Sequence, residues 1–159
     1  MKKLAAFSLA LALSAALSTT AFAAGTSNAI TDKSDPKTAN VTVTTEIAPT
    51  YTVTIPANTT VNFNAVDTSF GNITLTKAQL DPGKKVKVAL SASGELENIA
   101  DTSKTLAYEI QAAGQKFESA TYAKASDSTA LTIHIAQDDW NKAYAGDYAD
   151  TVTFTISYE

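Results

Sequence analysis

From Val41 to Tyr158 the chain keeps returning to a two-residue rhythm, and only one kind of secondary structure has that period. "VTVTTEI" puts Val41, Val43 and Ile47 on one side and polar residues on the other. "YTVTIP", "VNFN", "NITLT", "KVKVALS", "LAYEI" and "LTIHI" repeat the pattern, and "TVTFTISY" closes it with Val152, Phe154, Ile156 and Tyr158 in register. Successive side chains of a strand point to opposite faces, so alternation of this kind predicts half-buried antiparallel strands. The intervening stretches, "IPANTT", "DPGK", "SASGE", "AAGQ" and "KASDS", are rich in residues that close turns. About eight short strands in one domain predict an all-β fold, an immunoglobulin-like antiparallel β-sandwich, with a closed barrel as the alternative. The only helical candidate is "DDWNKAYAG", with Asp138 as its cap and Gly146 as its stop.

The first residues set a compartment. Lys2 and Lys3 precede an apolar run from Leu4 to Leu17, and Ala21-Phe22-Ala23 offers small residues around a cleavage point. This is the layout of a secretory signal peptide over 1–23, and the run is too short and too interrupted to serve as a membrane span. Residues 24–40 are small, polar and unpatterned and read as a flexible leader, leaving 41–159 as the sandwich domain. No second apolar span follows, so the expected location is secreted, at the cell surface or beyond, with no membrane span after cleavage. There is no Cys, so the domain has no disulfide to lean on and must rely on core burial and strand pairing. The formal charge is −4 and every basic residue is Lys. Without Arg, and with net negative charge, the chain is ill suited to phosphate and base recognition, which argues against a nucleic-acid partner.

Residues with chemistry are few. His134 is the single histidine and alternates away from Ile133 and Ile135. A catalytic histidine needs a nucleophile and an orienting acid, and the sequence offers no pattern for either. One His and no Cys leave no ordinary zinc site. Asp138, Asp139, Asp147 and Asp150 cluster near the end, but their spacing does not match a calcium loop, and capping or turn roles suit them. No catalytic residue, metal ligand or cofactor is therefore assigned. Asn40, Asn58 and Asn72 each open an Asn-x-Thr triplet that fits the glycosylation pattern, although in a bacterium most such matches carry no meaning. Trp140 is either an exposed platform for a sugar or a plug for one end of the sandwich. Tyr148 sits where a tyrosine corner would form.

Two resemblances bear on function. "GDYADTVTFTISY" resembles the closing strand of fimbrial subunits of the spore coat protein U type, and "SFGNI" at 69–73 resembles a stretch near the front of those domains. "TVTIPA" at 52–57, "LDPGKKVKV" at 80–88 and the run from Asp139 to Ser157 are similar to small secreted surface proteins of gram-positive bacteria, close in character to those with a WxL domain. The Trp-x-Leu motif itself is absent, Trp140 being followed by Asn141. Both resemblances imply an extracellular immunoglobulin-like sandwich without catalysis.

Two functions from different classes follow. One is a structural or adhesive surface protein, of pilus-subunit type, whose partners are copies of itself or other surface proteins. Val41, Val43 and Ile47 would then form a donor strand for a neighbour's sheet edge, with Pro49 as hinge; the alternative is that they are the first strand of their own domain. The other is a secreted binding module for a glycan or a host protein, using Trp140, Tyr144 and Tyr148 on end loops.

Overall fold

A computed structural model describes residues 29–159. The predicted signal peptide and the first residues of the predicted leader lie outside the described residues. Residues 29–48 and the compact unit that starts at Pro49 are separate units. In the first, 29–48, there is no strand. Val41, Val43 and Ile47 are exposed there, Val43 to 92 %. The strand expected over 41–47 is thus absent: alternation supplies the side-chain pattern, but a strand also requires a partner for its backbone groups.

The second unit is nearly all β. Its strands are β1 (Thr50–Thr54), β2 (Asp67–Gln79), β3 (Val86–Ser91), β4 (Glu95–Asn98), β5 (Thr105–Ala107), β6 (Glu109–Ala112), β7 (Gln115–Lys116), β8 (Ser119–Tyr122), β9 (Ser128–His134), β10 (Tyr148–Ala149) and β11 (Thr153–Tyr158). A single turn of helix, α1 (Gln137–Trp140), follows β9. All pairings are antiparallel. One sheet runs β1-β2-β9-β6-β7, a second β10-β4-β5 and a third β11-β3-β8.

These sheets form a sandwich with a divided second layer. Ile73 and Leu75 of β2, Leu131 of β9 and Ile110 of β6 meet Val86 and Val88 of β3 and Tyr122 of β8 in one buried cluster. Further along, Ile133 of β9 and Ile135 just after it meet Leu106 of β5, with Leu96 and Tyr148 beside them. The five-stranded sheet therefore lies under both three-stranded sheets, and Phe70 and Tyr108 touch both clusters. Antiparallel sheets with one wet face give this inward and outward alternation, and it explains why Leu131, Ile133 and Ile135 are buried while Thr132 and His134 are not.

β2 is the longest strand and carries a register shift between Ser69 and Gly71. One extra residue there lets Phe70 and Ile73, three apart, both face the core. Gly71 takes φ 114°, and the position a Cβ would occupy lies 3.5 Å from Pro56. The bulge thus depends on glycine at this point.

Three local expectations are corrected. "LAYEI" is not one strand: Tyr108 donates its N–H to the Gly94 carbonyl at 2.8 Å, and the chain passes from β5 in one sheet to β6 in another. "VNFN" is a turn, closed by the Ala65 N–H on the Asn62 carbonyl at 3.1 Å. The helix is four residues long, begins after Ala136 and has no side-chain cap. Asp138 stands inside it because Ile135 must stay in the core, so the helix can start only directly after it.

Candidate functional site

The loops beyond the β9 end of the five-stranded sheet gather the aromatic residues. Trp140 packs against the cluster of Leu106, Ile133 and Ile135 and donates its indole N–H to the Ala65 carbonyl at 3.0 Å. Its ring meets Phe63 edge-on, with centroids 5.6 Å apart and planes at 77°. Tyr148 also packs on that cluster, and its hydroxyl donates to the Tyr144 carbonyl at 2.9 Å. That bond reaches four residues back, as in a tyrosine corner. Tyr144 is exposed, and the Lys104 ammonium sits 4.9 Å from its ring centroid. Of the three binding residues expected from sequence, Trp140 and Tyr148 are therefore tied into the frame and half-buried, whereas Tyr144 is exposed. Phe63 joins them, 84 % exposed. Its one sequence signal was an aromatic residue between two asparagines, which alternation reads as a strand.

Behind these loops lies Asn98, 3 % exposed. Its side-chain oxygen accepts from the N–H groups of Ala100 at 2.9 Å and Asp101 at 3.2 Å, and its amide donates to the Ala145 carbonyl at 3.4 Å. One buried carboxamide thus ties the loop after β4 to the segment before β10. Gly146 takes φ 149°, and a Cβ there would collide with the Asn98 amide. Asn98 was invisible in the sequence, because "ELEN" has no distinctive pattern.

Asp150 anchors a second network. It accepts the Tyr108 hydroxyl at 2.6 Å and the Ser93 hydroxyl at 2.7 Å on one oxygen, and the Thr151 N–H at 2.6 Å on the other. Partial burial pushes its acidity the other way, but these donors outweigh it and hold the carboxyl below the usual aspartate value. Tyr108 is raised above the ordinary tyrosine range, first by burial and then by the carboxylate it bonds. Asp127 is lowered by the N–H groups of Ala123 and Lys124, which close the turn before β9. The terminal aspartates do not converge, and among the described residues no three acidic or histidine side chains are grouped to hold a metal ion.

His134 is on the outer face of the five-stranded sheet. Its Nδ1 lies 2.8 Å from Asp67 Oδ1, and Glu109 is its register partner on the opposite side. Asp67, Gln111, Gly114, Thr132 and His134 line a shallow depression of about 430 Å³. The carboxylate orients the imidazole on this outer face.

The last surface is the flank of the sandwich. β1 ends one sheet and β11 ends another, so each has one unpaired edge among the described residues. Tyr51 of β1 and Tyr158 of β11 stack across the two layers, with centroids 5.9 Å apart. Ile156, on the inward side of β11, stays 37 % exposed. Tyr158 also donates its hydroxyl to the Asp81 carboxylate at 3.0 Å and accepts the Asp81 N–H at 2.8 Å, which pins that end of the strand.

No protein-family model matches the chain, and the search of curated proteins finds no match.

Proposed function

We propose that this protein is a non-catalytic extracellular or cell-surface structural protein, of immunoglobulin-like type, that joins copies of itself by strand addition. The observation that carries the reading is the pairing of two needs. Val41, Val43 and Ile47 form an alternating segment with exposed apolar side chains and no strand. β11 offers a six-residue edge, unpaired among the described residues, whose inward Ile156 is incompletely covered. An extended segment added to such an edge gains main-chain hydrogen bonds, while its alternate side chains cover the exposed core. Thr42, Thr44 and Thr45 have the β-branched shape that suits a pleated surface. An open edge is otherwise a liability for uncontrolled aggregation, and a dedicated partner segment is one way to occupy it.

Surface material sheared from producing cells and run unheated and boiled on a denaturing gel tests this. A ladder that collapses on boiling is expected, because release requires stripping a whole paired strand. A single monomer band in both lanes overturns it. The variant Val41→Lys/Val43→Lys assigns the donor: loss of the ladder with an unchanged melting temperature is expected, since both side chains are exposed in the free chain.

A further inference from the structure

Phe63 is the most exposed aromatic ring among the described residues, yet it is not on a loose loop. Its turn is closed by the Ala65 N–H on the Asn62 carbonyl, with Asn64 at φ 65°. The segment around α1 fastens the turn twice. Gln137 Nε2 donates to Asn64 Oδ1 at 2.5 Å, and Trp140 Nε1 donates to the Ala65 carbonyl at 3.0 Å. A ring left in water contributes little burial free energy, so core formation does not account for a phenylalanine at this tip. A fixed, solvent-facing ring does suit an anchor, because the entropy of ordering it is lost on folding and not on binding.

The chemistry around the ring narrows the ligand. Phe63 and Trp140 meet at nearly a right angle through an edge, which leaves ring face available beside them. Gln137 Nε2 also reaches Asn141 Oδ1 at 3.3 Å, so three carboxamides form a chain next to the aromatic corner. The amide nitrogens of Asn64 and Asn141 carry donors with no protein partner among the described residues. Asp138 and Asp139 follow Gln137 directly and make the surroundings unfavourable to an anion. An apolar ring face with carboxamide donors and acceptors at its rim matches a ligand that has one C–H face and many hydroxyls.

We propose that the Phe63–Trp140 corner, with Asn64, Gln137 and Asn141, is a binding site for a neutral oligosaccharide. The site is independent of the strand-addition surface and stands whether or not the chain polymerises. Trp140 is the only tryptophan in the chain, so its emission reports on the site directly. The full secreted chain is titrated with linear hexaoses of glucose, mannose, xylose and N-acetylglucosamine, and with an oligogalacturonate as the anionic control. Ligand-observed NMR on the same samples detects binding that leaves the emission unchanged.

Saturable binding of at least one neutral hexaose is expected, with affinity in the millimolar range or somewhat tighter, typical of a small open site. Phe63→Ala weakens it about tenfold or more with no change in melting temperature, and Phe63→Tyr restores it. Three results overturn the proposal. They are no binding of any neutral hexaose by either method up to about 10 mM, binding unaffected by Phe63→Ala, and tighter binding of the oligogalacturonate.

Discussion

Gly146→Ala tests the account of the buried carboxamide. The new methyl meets two obstacles. The backbone at φ 149° is a conformation that residues with a Cβ rarely adopt, and holding one there costs about 1–3 kcal/mol. The Cβ also runs into the Asn98 amide, which cannot retreat without loosening its bonds to Ala100, Asp101 and Ala145. Overpacking of that kind adds about 1–3 kcal/mol. The single variant should therefore lose roughly 2–6 kcal/mol, a large part of what a domain this size holds. Asn98→Ala alone strands two N–H donors and one carbonyl, and should cost about 2–4 kcal/mol. In the double variant the collision is gone and only the backbone strain remains. The double variant should then be about 1–3 kcal/mol more stable than the sum of the two single losses predicts. Urea unfolding of the four proteins, with the slopes compared, measures this. Additivity within about 0.5 kcal/mol would show that Asn98 is not what excludes a side chain at position 146.

Other predictions probe different parts of the molecule. Asp150, Asp127 and Asp101 all have carboxyls held below the ordinary aspartate value, Asp150 by donors that overcome its burial, Asp127 by the Ala123 N–H and Asp101 by the Ser103 hydroxyl. A carboxyl depressed on folding contributes stability that is full above its unfolded value, about 3.9, and is lost as pH falls through the folded value. Melting temperature should therefore fall between about pH 5 and pH 2, and Asp150→Asn should flatten part of that slope; an unchanged slope refutes the role of its donors. Ile135→Ala should cost about 2–5 kcal/mol in chemical unfolding, because Ile135 is fully buried between the five-stranded sheet and Leu106. Trp140→Phe keeps the ring packing but removes the donor to Ala65. It should cost about 1 kcal/mol and raise amide exchange at Ala65, whose own N–H closes the turn.

Much of the sandwich was legible, because its longer strands wear their burial on alternate residues. "LTIHI" falls within β9 and the following Ile135, "KVKVALS" covers β3, and "TVTFTISY" covers β11. The strands that escaped reading are β4, β7, β8 and β10, which are short and carry few apolar residues. β7 and β10 have two residues each, too few for any period to register. The two errors of excess, at 41–47 and 61–64, share one cause. Alternation describes how a strand would present its side chains, and it does not say whether an edge exists to receive it. At the loop end, sequence pointed to Trp140, Tyr144 and Tyr148, since aromatic residues stand out. The residues that organise that end, Asn98, Gly146 and Gln137, matter through bonds to distant segments or, for Gly146, a close approach to one, and one-dimensional spacing contains no trace of those.

The stacking of Tyr51 on Tyr158 has a mechanical consequence. Thr50 pairs with Gln79 and Tyr158 pairs with Val86, so the outer ends of β1 and β11 lie at the same corner of the sandwich. Antiparallel hydrogen bonds run across the strands. A load entering at Thr50 and leaving at Tyr158 therefore does not shear a row of bonds at once. It first parts the two tyrosine rings and then opens β1 from β2 and β11 from β3 rung by rung, like a zip. Such a corner yields at low force and recloses easily, whereas a pull between Thr54 and Tyr158 would have to drag whole strands past their neighbours. In single-molecule pulling, handles at 50 and 158 should thus give lower rupture forces than handles at 54 and 158.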